Sequence, residues 1–84
     1  MYTILIVDDE RPAQTFLKAI CQKYCPAFDT ILLSGSADDA LRLMALQHVH
    51  VLVTDISMPG INGIELAQRV RQLYPRTHTV IVSG

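Results

Sequence analysis

No run of basic residues occurs in this 84-residue sequence. Seven Lys and Arg stand against eight Asp and Glu, for a net charge of −1. That balance argues against nucleic acid or an anionic membrane surface as a direct partner of this segment. No apolar stretch is long enough to span a bilayer. The N-terminus, MYTILIVDDE, has no basic region and turns acidic too early for a signal peptide. The expected compartment is the cytoplasm, with no membrane contact. Glycine is missing where a dinucleotide-binding half-domain would need it: the stretch after the first apolar run reads VDDERPAQ. Cysteine is scarce, with only Cys21 and Cys25, four apart. A thiolate metal site needs at least two more ligands nearby, and a disulfide across one helical turn is geometrically poor. Cys21 is expected to pack in the core and Cys25 to mark a helix end before Pro26. The histidines are scattered. His48 and His50 could share a strand face, but no third metal ligand follows them in sequence.

What is present is apolar patterning. Half of the residues are hydrophobic, so one domain with a real core is expected, of small stability margin. Thr3 to Val7 is a continuous apolar run rich in β-branched residues, which suits a strand covered on both faces. Pro12 sits at a first helical position, and Ala13, Phe16, Leu17, Ile20, Cys21 and Tyr24 follow at helical spacing until Pro26. A second strand is read over residues 30–34. Ser36 is a candidate cap, with Asp39 three residues on, for a helix using Ala37, Ala40, Leu41, Met44 and Ala45. A third strand covers 50–54, and a loop with Pro59, Gly60, Asn62 and Gly63 follows. A helix over 64–74 is expected to bury Leu66, Ala67, Val70 and Leu73. A fourth strand covers 78–82.

Short apolar strands alternating with helices predict a parallel sheet with helices on both faces. Ligands of such sheets lie beyond the C-terminal strand ends. Asp8 and Asp9 follow the first strand, Asp55 the third and Ser83 the fourth. If the first and third strands are neighbours, three carboxylates converge. Like charges that close repel, and a hard divalent cation relieves them. Oxygen ligands with few carboxylates suit Mg²⁺. Read singly, each residue has a plainer role: Asp9 or Glu10 could cap the first helix, Asp55 could be a turn residue, and a Ser-Gly pair says little by itself.

VDD after the first strand, TDISMPGINGIEL after the third and VIVSG at the fourth resemble the receiver domain of two-component response regulators. The wording MYTILIVDDE with TDISMPGINGIELA is similar to regulators that carry an AraC-type helix-turn-helix output domain. The resemblance implies a flavodoxin-like, doubly wound parallel sheet with strand order 2-1-3-4. It implies that Asp55 accepts a phosphoryl group from a sensor histidine kinase. Asp9 would hold Mg²⁺ directly and Asp8 through water, with Asp55 and the backbone carbonyl of Ser57 completing the protein ligands. Ser83 would be the switch hydroxyl. Such a module is not an enzyme beyond its own phosphorylation and dephosphorylation. DNA would be reached only through an output domain.

The family pattern continues with a fourth helix, a fifth strand ending in lysine and a fifth helix. The expectation is therefore a partial receiver domain over residues 1–84, with phosphorylation and switching impaired. The fifth helix would share one sheet face with the first, so apolar side chains of the third and fourth strands should be exposed, and either partial disorder at the C-terminal end or self-association through the fourth strand and the uncovered face is expected. The alternative is a metal-dependent phosphohydrolase-like domain with strand-end aspartates. That class places a second Asp two residues after its nucleophile, whereas Asp55 is followed by Ser57.

Overall fold

The computed structural model describes residues 1–82. Its first strand, β1 (Tyr2–Val7), lies inside the sheet. Ile4, Leu5, Ile6 and Val7 are all buried, at 3% exposure or less. That explains a continuous apolar run where an exposed strand would alternate. Around it are α1 (Arg11–Tyr24), β2 (Phe28–Ser34), α2 (Ala37–Leu46), β3 (Val51–Asp55), α3 (Gly63–Leu73) and β4 (His78–Val82). The four strands are parallel, in the expected order β2-β1-β3-β4. The architecture is the flavodoxin-like α/β sheet. β2 begins two residues before the expected Thr30, because Phe28 already pairs with Tyr2 across a register shift.

The helices start for identifiable reasons. The Ser36 hydroxyl accepts the Asp39 N–H at 3.1 Å and so caps α2. The Asn62 side chain does the same for α3, accepting the Glu65 N–H at 2.9 Å. α1 opens on Pro12, whose missing N–H costs nothing in a first turn.

The two faces of the sheet differ. On one, Ala37, Ala40 and Met44 of α2 and Leu66 and Val70 of α3 close over Leu5, Val7 and Leu52. On the other, α1 lies over β1 and β2. No α1 residue is fully buried: Phe16 is 65% and Tyr24 68% exposed. Cys21, expected in the core, is half-buried. α1 is amphipathic as expected, but it has half a sheet face to cover it. On the same face Val80, aligned with Val53, is 48% exposed and Val82 is 37% exposed. Among the expected α3 core residues, Leu73 is 61% exposed. Leu73 sits at the last turn, and the half-buried Tyr74 packs against the core in its place.

Candidate functional site

β1 and β3 end side by side. Val7 pairs with Thr54, so Asp8 and Asp55 leave adjacent strands at the same level. Neighbouring strands run about 4.8 Å apart. The Asp8 N–H donates to the Ser34 carbonyl at 3.0 Å and carries the β1–β2 ladder one residue further. The buried Asp8 carboxylate accepts the Glu10 N–H at 2.9 Å. This turn, in which an aspartate bonds the backbone two residues on, curls the chain. As a result carboxylate oxygens of Asp8, Asp9 and Glu10 all lie within 4.8 Å of one another.

The capping role weighed for Asp9 or Glu10 is not found. Glu10 stands at the cap position of α1 in extended backbone, with no side-chain cap bond. Neither Asp9, Glu10 nor Asp55 spends its carboxylate on a hydrogen bond to another described residue. Asp55 is half-buried. Its carbonyl accepts from the fully buried Thr54 hydroxyl at 3.0 Å.

The β3–α3 loop is held at several points. Met58 is buried among the core side chains and ties down the middle of the loop, beside the exposed Ser57. Gly60 has φ +76°, a left-handed conformation that glycine adopts without penalty. Gly63 donates its N–H to the Ile56 carbonyl at 2.9 Å. A Cβ on Gly63 would overlap the Asp55 carbonyl oxygen and lie 2.8 Å from its carbon. The start of α3 therefore packs directly on the Asp55 backbone, and glycine is required there.

Sequence reasoning placed Asp8, Asp9 and Asp55 in one cluster. The structure sets Asp8 and Asp55 on adjacent strand ends, but the residue within 4.8 Å of both Asp8 and Asp9 is Glu10. Glu10 was read only as a helix cap. The signal that points to it is its spacing, two residues after an aspartate that can draw its N–H back. Ser83, the expected switch hydroxyl, lies outside the described residues.

The N-terminal end of the sheet is occupied differently. His50 Nδ1 accepts the Thr3 N–H at 3.0 Å, so the proton of that ring sits on Nε2. The ring packs edge-on against His48 and Tyr2, at 4.3 and 5.1 Å between centroids. Nδ1 is thus committed to the backbone, which removes it from the candidate His48–His50 metal pair. Cys21 and Cys25 are free thiols, and burial together with the neighbouring Cys25 pushes the Cys21 thiol above its usual value. That makes Cys21 a poor nucleophile.

The profile of the response regulator receiver domain matches residues 4–84. The chain belongs to this family. This receiver domain is 34% identical over 82 residues to the hydrogenase transcriptional regulatory protein HoxA of Cupriavidus necator, a match covering 98% of this chain and 16% of HoxA. It is 29% identical over its whole length to the transcriptional regulatory protein YesN of Bacillus subtilis, 23% of which is covered. The chain thus spans only a small part of these relatives. Among solved structures, a two component transcriptional regulator AraC from Clostridium phytofermentans superposes with TM-score 0.91 at 33% identity, covering all of this chain and 68% of that one. The response regulator TrrA of Thermotoga maritima, in complex with Mg²⁺–BeF, superposes with TM-score 0.89 at 28% identity, covering 99% and 70%. Receiver domains are signalling modules of two-component phosphorelays. No helix among the described residues is long and apolar enough to cross a membrane.

Proposed function

We propose that this receiver domain takes a phosphoryl group from the phosphohistidine of a sensor kinase onto the Asp55 carboxylate. The observation that carries this reading is the alignment of Asp8 and Asp55 on adjacent strand ends, beside acids with no structural bond to make. In the transfer a carboxylate oxygen of Asp55 bonds phosphorus as the bond to the kinase imidazole breaks, leaving an aspartyl phosphate. The donor set fits Mg²⁺: Asp8, Asp9, Asp55 and the Ser57 carbonyl offer only hard oxygens. Asp9 would hold the ion directly and Asp8 would act mainly through water, since the Asp8 Oδ1 is already bonded to the Glu10 N–H. When bound, the ion neutralises charge spreading over the transferred oxygens. The close packing of Gly63 on the Asp55 backbone, which leaves no room for a Cβ, keeps Asp55 in register for in-line attack. Ser83 is the proposed switch hydroxyl.

HoxA and YesN are named as transcriptional regulators. By that likeness the receiver regulates transcription, with DNA bound by a separate output domain and the work done in the cytoplasm. Small-molecule phosphodonor treatment followed by intact mass tests the chemistry. One phosphoryl mass should appear with Mg²⁺ and vanish in Asp55→Asn. Modification that persists in Asp55→Asn would reject the assignment.

We also propose self-association through β4. Among the described residues β4 pairs only with β3, and its outer edge carries Val80, Ile81 and Val82, all exposed. Such an edge is a template for another chain.

A further inference from the structure

The acids sit at the very end of the strand ladder. β1 ends at Val7 and β2 at Ser34, the Asp8 N–H adds one last ladder bond to the Ser34 carbonyl, and Asp9 and Glu10 lie between that bond and the start of α1. One side chain closes this gap from the helix. Gln14, half-buried in the first turns of α1, donates its carboxamide Nε2 to the Asp8 carbonyl at 2.6 Å and to the Ser34 carbonyl at 3.1 Å. Both protons of one amide nitrogen are thus spent on the two strand ends. Its backbone N–H donates to the Glu10 carbonyl at 3.2 Å, so residue 14 also ties the far end of the segment. On the other side, the Asp8 carboxylate holds the Glu10 N–H. Asp9 lies between these fastenings, its own carboxylate free.

We infer that Gln14 is a positioning residue for the metal site, fixing the Asp8–Glu10 segment so that the Asp9 carboxylate is held beside that of Asp8 before any ion arrives. The inference rests on the Mg²⁺ reading above. The physical reason is preorganisation. Like-charged carboxylates within 4.8 Å push the segment outward, and two hydrogen bonds at its base oppose that push. Partners that orient metal ligands typically contribute 10–100-fold in affinity. Gln14 touches neither the ion nor the phosphoryl group and acts through the backbone of Asp8.

The test uses Gln14→Met, which keeps the length and loses both donors, and Gln14→Ala, which keeps the helix. The control is Leu17→Ala, a half-buried α1 residue one turn on, which lowers stability without touching the segment. Mg²⁺ titration is followed by amide shifts of Asp9 and Asp55, and hydrogen exchange is read at the Glu10 amide. Both Gln14 variants should bind Mg²⁺ about 10-fold more weakly and exchange the Glu10 amide faster. Leu17→Ala should match the wild type in both readouts at a comparable loss of Tm. Wild-type affinity in the Gln14 variants, or equal weakening in Leu17→Ala, overturns the inference alone. A wild-type protein that takes up no Mg²⁺ overturns the metal reading and the inference with it.

Discussion

The two ends of the sheet use their polar groups in opposite ways. At the N-terminal end they close on the backbone: His50 Nδ1 takes the Thr3 N–H, the Thr77 hydroxyl takes the Val49 carbonyl at 2.7 Å, and the His78 N–H meets the His50 carbonyl at 3.0 Å. At the C-terminal end the backbone is equally tied, by Gln14 and the Asp8 turn, but the carboxylates of Asp9, Glu10 and Asp55 are left over. One end is consumed by stability. The other is tied at its backbone with its charge unspent, at a cost in repulsion that the proposed cation would relieve. Functional sites often carry such a cost.

The contrast breaks most sharply at Gly63. Gly63→Ala should destabilise by about 3 kcal/mol and stop phosphorylation of Asp55, because the new Cβ must push the Asp55 carbonyl aside. Chemical denaturation and intact mass check the two effects. At the quiet end, His50→Leu should cost about 2 kcal/mol by leaving the Thr3 N–H without its acceptor. Mg²⁺ binding should not change. An equal loss of Mg²⁺ affinity would mean that the two ends are coupled. Asp9→Asn should do the reverse: Mg²⁺ uptake falls while stability without metal rises by up to about 1 kcal/mol as repulsion is relieved. Thermal unfolding with and without Mg²⁺ separates these results.

Smaller effects sharpen the picture. Asp39 is held below the usual carboxylate range by Arg42 and then by the Ser34 hydroxyl. A depressed carboxylate stabilises the fold above its ordinary pKa, and that contribution is lost as pH falls through the folded value. The Arg42–Asp39 pair is well exposed, so Asp39→Asn should cost less than about 1 kcal/mol at neutral pH. The difference should shrink to nothing on acidification, followed by urea midpoints from pH 7 to pH 2. The smallest expected change in fold stability is at Ile81→Lys, on the exposed edge strand. That variant should lower association across a concentration series in light scattering while barely moving the unfolding midpoint.

Much of this was legible in the residues. Ser36 with Asp39, Pro12 and the ILIV run announced a cap, a helix start and an inner strand, because each depends on local chemistry. Asp8, Asp9 and Asp55 were legible as strand-end acids for the same reason. The depth of each helix was not, since Phe16, Tyr24 and Leu73 have the right spacing but lie where nothing in the described chain covers them. The hydrogen bonds of Glu10 and Gln14 were not legible either, because they depend on a turn and on two carbonyls brought together by strands distant in sequence.

The position of β1 inside the sheet has a consequence for biogenesis. Its neighbour β3 comes late, with Thr3 meeting His50 across a separation of 47 residues. At ribosomal speeds of 5–20 residues per second, β1 waits roughly 2–9 s for that partner. Through that interval the ILIV run is exposed, uncharged and strongly β-forming, the composition of an aggregation nucleus. Asp8, Asp9 and Glu10 follow it immediately. Flanking charges are how chains keep such segments from pairing with one another. The acids that follow β1, two of them in the proposed donor set, are therefore also placed to act as gatekeepers on the nascent chain. Neutralising them exchanges a metal site for a risk of misassembly before the fold exists.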